Sequence, residues 1–259
     1  MSDVKKLNDL SYEGYELVWM DDFDGDTLNR EDWNVELHEP GWVNKELQEY
    51  VDSTDNIQVK DSNLYLIPIQ TKIADGTYYY TSGRVNTQGK HDFKYGLFEA
   101  RLRVPRGKGY LPAFWMMPLD EDYYGQWPKC GEIDCMEVLG DQLDTVHGTI
   151  HFGEPHEQRQ GSWTLEKGNF ADEYHLFSCE YQEGSIKWYV DGHFYYETSD
   201  WFSAWPGKEK VPYPAPFDQP FHIILNLAVG GEWVGYPEDE TFEANPYMID
   251  YVKAYQRIK

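Results

Sequence analysis

Three acidic side chains, Glu132, Asp134 and Glu137, fall within six residues of one another. Carboxylates this close repel one another, and in an acidic protein the ordinary interpretation of such a run is a solvated face. The residues interleaved with the acids and following them are apolar: Ile133, Cys135, Met136, Val138 and Leu139. An apolar half of this kind belongs against a core. We therefore interpret the three acids as a functional carboxylate cluster.

The spacing of the acids indicates a strand. On a helix, Glu132 and Asp134 would point to nearly opposite sides. On a strand they share one face, because side chains alternate strictly. Glu137 then has the wrong parity, and a β-bulge near Cys135 and Met136 would return it to that face. Bulges are common beside active sites because they redirect a side chain.

The bulged strand predicts a particular chemistry. The Cα atoms of Glu132 and Glu137 would lie very roughly 13 Å apart at about 3.3 Å per residue. Two Glu side chains that lean toward each other can then bring their carboxyl groups within about 5–5.5 Å, which is the separation found in retaining glycosidases. Asp134, between them, can share a proton with Glu132 and shift its pKa as the reaction proceeds.

The elements that position these acids are predicted to be short strands. Turn-forming residues recur at short intervals, no segment has a long helical period, and Asp191-Gly192 is a strong two-residue hairpin signal. The strand-like runs are Leu17–Met20, Leu64–Ile69, Tyr78–Asn86, Leu97–Val104, Thr145–Phe152, Leu176–Tyr181, Ile186–Val190, His193–Tyr196, His222–Ala228 and Ile249–Tyr255. This pattern predicts an all-β sandwich or jelly roll of two packed, curved sheets. With no linker and no repeat, we expect residues 1–259 to form one domain.

Composition narrows the ligand class. Aromatic residues make up 17% of the chain, with 10 Trp and 21 Tyr, and exposed aromatic rings hold the apolar faces of sugars. The formal net charge of −24 repels nucleic acid, anionic membranes and anionic polysaccharides. A neutral glucan fits best.

Cysteine use and the chain termini bear on location. Three cysteines, Cys130, Cys135 and Cys179, do not make a disulfide framework. No signal peptide follows Met1, and no run approaches transmembrane length. Because a polysaccharide is too large to enter cells, we expect an extracellular or cell-surface protein whose signal has been removed, with an intracellular protein as the alternative. The free thiols indicate an anaerobic or reducing niche.

The run G-E-I-D-x-x-E resembles the catalytic strand of glycoside hydrolase family 16. Its bulged E-x-D-x-x-E form is that of laminarinase-type endo-β-1,3-glucanases, agarases and carrageenases, whereas lichenases and xyloglucan-active members carry E-x-D-x-E. Further similar stretches cover nearly the whole chain. The resemblance implies a jelly roll with an open substrate cleft, in which Glu132 is the nucleophile, Glu137 the general acid and then base, and Asp134 their partner.

The resemblance also implies substrate-binding residues in the first half of the chain. Asn44, in N-K-E-L-Q, would hydrogen-bond a sugar hydroxyl, and Arg84, in S-G-R-V, would lie at the cleft floor. An Arg there would be the cation that keeps cleft acids ionised. Trp115, in L-P-A-F-W, would wall the sugar beside the scissile bond, although Leu111 replaces the usual first Trp of that motif. Trp127, just before the acidic strand, would add a second ring.

In the second half of the chain, His147, Thr149 and His151 alternate onto one face. The resemblance places His151 near the acid/base, where the alternative is a structural hydrogen-bonded His. The stretch L-N-L-A-V-G-G-E-W resembles another family motif, with Asn226 in the cleft and Trp233 as a sugar platform at one end. Glu232 stands where the family usually has Asn, and we expect it to alter which linkage or branch is accepted.

Members of the family often bind a structural calcium ion on the convex side. The resemblance places its ligands at the Asp22 and Asp250 carboxylates and at the backbone carbonyl of Ser62, where the family usually has Gly. Oxygen ligands from distant strands suit Ca²⁺. The alternative is that these are ordinary turn residues. No cofactor is expected for catalysis.

The functional expectation is a monomeric, endo-acting, retaining hydrolase of β-1,3-glucan, which extends to mixed-linkage β-1,3-1,4-glucan. Within enzymes, the alternatives are a lichenase-like specificity and, less favoured, a galactan. A non-catalytic β-glucan-binding protein is the alternative outside enzymes, because a fold does not fix a function. A binding protein would have no reason to keep Glu132, Asp134 and Glu137 together.

Overall fold

The computed structural model describes residues 12–203, 214–238 and 242–258, and every regular element within them is a β-strand. No helix in these ranges is long and apolar enough to cross a bilayer. The strands are β1 (Tyr15–Asp21), β2 (Asn34–Val35), β3 (Gln48–Tyr50), β4 (Ile57–Lys60), β5 (Asn63–Leu66), β6 (Ile69–Lys72), β7 (Tyr78–Ser82), β8 (Arg84–Asn86), β9 (Asp92–Phe93), β10 (Gly96–Arg103), β11 (Tyr110–Pro118), β12 (Glu132–Val138), β13 (Thr145–Phe152), β14 (Glu157–Thr164), β15 (His175–Gln182), β16 (Ser185–Val190), β17 (His193–Thr198), β18 (Phe221–Val229) and β19 (Tyr247–Arg257).

Two eight-stranded antiparallel sheets pack against each other, as predicted. Sheet A has the order β17-β16-β15-β10-β19-β5-β4, with β1 also paired to β19. Sheet B has the order β14-β13-β12-β11-β18-β8-β2, with β9 also paired to β18. Apolar side chains of both sheets form one buried core, which includes Phe98 and Phe177 from sheet A and Phe114 and Ile150 from sheet B. All three cysteines are buried free thiols.

A third, three-stranded sheet, β3-β7-β6, was not predicted, and its β3 and β7 are parallel. The predicted strand Tyr78–Asn86 divides between this sheet and sheet B. It breaks at Gly83, where a Cβ atom would lie 2.8 Å from Ile57 and 3.0 Å from Leu66. A residue without a side chain therefore lets the chain pass from one sheet to the other.

Sheet B has one face in the core and one face outside it. On β13, Val146, Ile150 and Phe152 are fully buried, whereas His147 and His151 are partly exposed on the opposite side. The predicted alternation of this strand is confirmed. The hairpin at Asp191-Gly192 is also confirmed, with φ values of 50° and 78° that suit a type I′ turn.

Candidate active site

A β-bulge in β12 interrupts the alternation of the acidic strand. Between Asp134 and Glu137, β12 advances by three residues while its partner β13 advances by two. The register against β11 shifts at the same place. Cys135 and Met136 are consecutive and yet both are buried in the core. The bulge predicted near these two residues is therefore confirmed, and it changes the parity of Glu137 to that of Glu132 and Asp134.

Trp188 of β16 supports the bulge from the core side. Its indole Nε1 donates a buried hydrogen bond of 2.8 Å to the backbone carbonyl oxygen of Asp134. A bulge disrupts the ladder locally, so this donor satisfies a carbonyl that would otherwise be buried without a partner. Gly148 of β13 provides the space, because a Cβ atom there would lie 2.4 Å from the Trp188 ring. Sheet A therefore holds the acidic strand of sheet B in its bulged form.

His151 is the basic residue beside the acids. It lies opposite Glu132 in the register of β12 and β13, and its Nε2 is 3.3 Å from Asp134 Oδ2. Asp134 is only 2% exposed. The ligand atoms of Glu132, Asp134 and His151 all lie within 4.8 Å of one another. Three ligand atoms this close together are as compact as a metal site. The His151 imidazole, however, provides the positive charge that a metal ion would provide, and we treat the group as a proton-sharing cluster.

The electrostatics of the cluster favour protons that are shared. Burial, and then the Asp134 charge, raise the pKa of Glu132 to about 8. Burial and the same Asp134 charge raise the pKa of Glu137 well above its ordinary value. Burial disfavours the imidazolium of His151, but the three carboxylates outweigh it and raise the pKa of His151 to about 9. At neutral pH the cluster thus holds a cationic His151 and more protons than isolated carboxyl groups would carry.

Trp127 lies at the edge of this cluster. Its ring is 47% exposed, and its Nε1 donates a hydrogen bond of 2.5 Å to Glu132 Oε2. A hydrogen bond to the charged form of a carboxyl group favours ionisation, so Trp127 opposes the effect of burial on Glu132. The predicted ring near the acids is present, and it also has a polar contact that the sequence did not indicate.

The remaining predicted cleft residues of sheet B form a chain of hydrogen bonds. Trp115 of β11 donates from Nε1 to Asn226 Oδ1 of β18 at 2.7 Å, and Asn226 Nδ2 donates to the Tyr50 hydroxyl at 2.9 Å. Arg84 of β8 lies opposite Asn226 in the register, and its guanidinium is 4.7 Å from the centre of the Trp115 ring. These residues lie together on the face of sheet B that carries the acids.

Arg84 pairs with Glu36 and not with the acids of β12. Arg84 Nε donates to Glu36 Oε2 at 2.7 Å, and Asn86 Nδ2 donates to Glu36 Oε1 at 2.7 Å. Burial disfavours the Glu36 carboxylate, but the Arg84 charge and the hydrogen bonds from Asn86 and His38 outweigh it and lower the pKa of Glu36. Arg84 thus favours ionisation of a different, partly buried acid, Glu36, whereas the basic residue beside the acids of β12 is His151.

Asn44 and Trp233 lie on two loops that meet at one end of this face. Asn44 has a φ of 51° and donates from Nδ2 to Glu46 Oε1 at 3.3 Å, while its backbone carbonyl accepts from the Glu232 amide. Lys45 and Glu232 form an exposed ion pair across the two loops. Trp233 is 48% exposed and contacts the His147 ring edge to face. Glu232, which departs from the family pattern, therefore links the loop of Asn44 to the loop of Trp233.

Sequence reasoning missed Trp42 and His38. Trp42 is 49% exposed, and its ring stacks on His38 with the centroids 3.5 Å apart and the planes within 3°. His38 Nε2 is 2.8 Å from Glu36 Oε2, and the Arg84 guanidinium is 5.3 Å from the Trp42 ring. The one signal available was Trp42 itself, two residues before Asn44. Its partners come from other segments, and no spacing rule joins them.

The register of sheet A brings the three predicted calcium positions together. On β19, Ile249 pairs with Leu64 of β5, and Val252 pairs with Asp21 of β1. Asp250 therefore lies between the part of β19 that pairs with β5 and the part that pairs with β1. Asp22 follows β1, and Ser62 precedes β5 with a φ of 53°. The Asp250 carboxylate also accepts a hydrogen bond of 2.5 Å from Arg101. Asp250 is thus paired with a cationic side chain in this structure, and the calcium site stays a prediction.

Comparison with known proteins places this chain in a family. Residues 42–253 match the model of "Glycosyl hydrolases family 16", and the chain belongs to that family. It is 39% identical to "Glucan endo-1,3-beta-glucosidase A1" of Niallia circulans over 96% of this chain, but it spans only 39% of that protein's length. It is 37% identical to "Beta-glucanase" of Rhodothermus marinus, over 95% of this chain and 86% of that protein.

A solved structure agrees with these sequence matches. The X-ray structure of the laminarinase from Rhodothermus marinus superimposes with a TM-score of 0.82 at 34% sequence identity, and the match covers 95% of this chain and 98% of that one. The jelly roll implied by the resemblance is confirmed by this neighbour. The family that the sequence resembles is the family to which the chain belongs.

Proposed function

We propose that this chain is an endo-acting, retaining hydrolase of β-1,3-glucan of the laminarin type, with mixed-linkage β-1,3-1,4-glucan as a further substrate. The observation that carries the proposal is the bulge that gives Glu132, Asp134 and Glu137 one parity in a member of family 16. Endo action is supported by the exposed rings of Trp42, Trp127 and Trp233, which lie on three separate segments. An extended binding face of this kind suits an internal stretch of polymer.

In the first step, the Glu132 carboxylate attacks the anomeric carbon while the Glu137 carboxylic acid protonates the departing glycosidic oxygen. The raised pKa of Glu137 supports its role as the acid, because the group must hold a proton at the working pH. Glu132 must be ionised to attack, and its Trp127 hydrogen bond favours that form. Asp134 accepts the proton that Glu132 gives up, and the His151 charge stabilises the resulting pair.

In the second step, water replaces the leaving sugar. Glu137, now a carboxylate, removes a proton from that water, which attacks the anomeric carbon and breaks its bond to Glu132. Two inversions leave the anomeric configuration unchanged. Asp134 can return its proton to Glu132 as that carboxylate leaves, so the cluster ends the cycle with the protons it held at the start.

Product analysis tests this proposal directly. Purified protein is incubated with laminarin, barley β-glucan and agarose over a range of pH, and the products are separated by chromatography. We expect a ladder of oligosaccharides from laminarin, a smaller set from barley β-glucan and none from agarose, with Glu132→Gln as the inactive control. Binding of laminarin without any release of oligosaccharide would instead identify a glucan-binding protein and overturn the proposal.

We also propose that a calcium ion at Asp22, Ser62 and Asp250 stabilises the fold and takes no part in the chemistry. A ligand that binds only the folded state raises stability by mass action. The melting temperature should therefore be higher in Ca²⁺ than in chelator, and an equal value in both would remove the site. For a protein that degrades a large neutral polymer, we further propose that it acts as a monomer outside the cell or at its surface.

A further inference from the structure

His156 lies next to the acidic cluster but is not part of it, and the sequence pattern did not indicate it. It follows β13 on the turn to β14 and is exposed to solvent. Its Nε2 is 2.8 Å from Nδ1 of His151, and the two rings stack with their centroids 5.1 Å apart. The Trp127 ring lies 5.0 Å from His156 and 6.1 Å from His151. Three rings thus pack together, and two of them reach the acids: Trp127 contacts Glu132, and His151 lies beside Asp134.

We propose that His156 is a positioning residue that fixes the ring and the protons of His151, and through His151 sets the proton balance of Glu132 and Asp134. The inference deepens the proposed function and rests on it, because the role of that balance is to ready Glu132 for attack. His156 touches neither acid in the described structure. It acts by accepting the Nδ1 proton of His151, which leaves Nε2 as the His151 nitrogen beside Asp134, 3.3 Å from Oδ2.

The protonation states of the two imidazoles agree with this assignment. The carboxylates raise the pKa of His151 to about 9, so both of its ring nitrogens carry protons at neutral pH. Burial and the His151 charge lower the pKa of His156, so its Nε2 keeps the lone pair that a hydrogen bond requires. A cationic donor and a neutral acceptor make a charge-assisted hydrogen bond, which is stronger than a neutral one.

The other charged groups near His151 do not replace its hydrogen bond to His156. The carboxylates that face His151 are Glu132, Asp134 and Glu137, all from β12. On the flanking segments the charges are already paired with one another, in the ion pairs Lys129–Glu154, Arg159–Glu157 and Arg159–Asp200. Loss of the acceptor on His156 should therefore lower the pKa of His151. With less positive charge nearby, the pKa of Glu132 should rise.

The test compares three variants of the full chain. His156→Phe keeps a flat ring but removes the acceptor, and His156→Gln restores an acceptor near the position of Nε2. His193→Phe is the matched control, because His193 is also exposed and lies 5.2 Å from a tryptophan ring, that of Trp163. Two readouts are taken: the pH profile of kcat/KM on laminarin, and the titration of the His151 ring by NMR in the unliganded protein.

For His156→Phe we expect the His151 titration to move to lower pH and the acid limb of kcat/KM to move to higher pH, each by about half a unit or more, because the substitution removes a charge-assisted hydrogen bond that stabilises the imidazolium. His156→Gln should restore most of both shifts, and His193→Phe should cause neither. An unchanged His151 titration in His156→Phe would overturn the positioning role even where laminarin is hydrolysed. The NMR readout stands without turnover, so failure of the proposed function would be seen separately.

Discussion

Two partly buried acids, Glu132 of β12 and Glu36 at the end of β2, have opposite tendencies to ionise. Both are Glu residues, and burial disfavours the charged form of both. Glu36 contacts Arg84, Asn86 and His38, and these outweigh burial and lower its pKa. Glu132 faces a second acid, Asp134, and its pKa rises to about 8. The difference lies in the neighbours and not in the residue type.

The comparison separates an acid that anchors a neighbouring side chain, Glu36, from the acid that we propose as the nucleophile, Glu132. Arg84 carries a permanent charge, so Glu36 stays an anion and can hold Arg84 under the rings of Trp42 and Trp115. The acids of β12 share one imidazole, which titrates, and their protons can therefore move within the cluster. Movable protons are what a double displacement with acid–base assistance requires.

The largest expected effects come from the matched substitutions Glu132→Gln and Glu36→Gln. Glu132→Gln should lower kcat by at least about 10⁴-fold, because no nucleophile remains, with little loss of folding stability. Glu36→Gln should instead cost about 3–5 kcal/mol of stability, because the buried Arg84 loses its counter-charge. Initial rates on laminarin and urea unfolding measure the two quantities. Equal losses of stability in the two variants would contradict the distinction between the clusters.

Asp134→Asn should have a smaller effect on rate and a distinctive effect on pH dependence. Removal of the negative charge should lower the pKa of Glu132, because a like charge nearby disfavours ionisation. The acid limb of kcat/KM should therefore move to lower pH, while kcat falls by about 10²-fold through loss of the proton acceptor. A limb that moves to higher pH would show that Asp134 does not raise the pKa of Glu132.

Trp188→Phe tests the support of the bulge from sheet A. The substitution keeps an aromatic ring but leaves the Asp134 carbonyl buried without its donor, which should cost about 1–3 kcal/mol of stability. Urea unfolding measures this cost, and Trp163→Phe, at another Trp packed on the core, is the matched control. An unfolding free energy equal to that of the wild type would indicate that the bulge does not depend on Trp188.

Trp42→Ala is expected to have the smallest effect, and only on binding. Loss of a stacking surface should weaken the binding free energy by about 1 kcal/mol, so KM for laminarin oligosaccharides should rise roughly fivefold while kcat changes little. Phe194→Ala, at an exposed ring on β17 of sheet A, should leave KM unchanged. A larger change in kcat than in KM would place Trp42 in the chemistry and not in substrate binding.

The features that could be predicted from the sequence are those set by local alternation. The parity of Glu132, Asp134 and Glu137, with apolar residues between them, predicted both the strand and its bulge. The same rule placed His147 and His151 on one face, and Asp191-Gly192 predicted its own hairpin. These features depend on residues within a few positions of one another, so the steric rules of a single strand are sufficient.

The features that could not be predicted depend on which strands become neighbours. The pairing of Arg84 with Glu36 requires the order of β2, β8 and β18, and the support of Asp134 by Trp188 requires contact between the two sheets. Nothing in the sequence around Gly83 indicated that one predicted strand divides between two sheets. A glycine is required there because the backbone packs closely against Ile57. Partners distant in the chain are set by packing, which periodicity does not encode.

The central claim is that Glu132 forms a covalent bond to the sugar, and trapping of that intermediate tests it most directly. A 2-deoxy-2-fluoro-β-laminaribiosyl fluoride carries a good leaving group, while its C2 fluorine slows hydrolysis of the glycosyl-enzyme. After reaction with the wild-type protein, mass spectrometry of proteolytic peptides locates the label. The account predicts one 2-fluoroglycosyl group on Glu132. A label on Glu137 or Asp134, or an unlabelled enzyme whose first product from laminarin is the α-anomer, would contradict it.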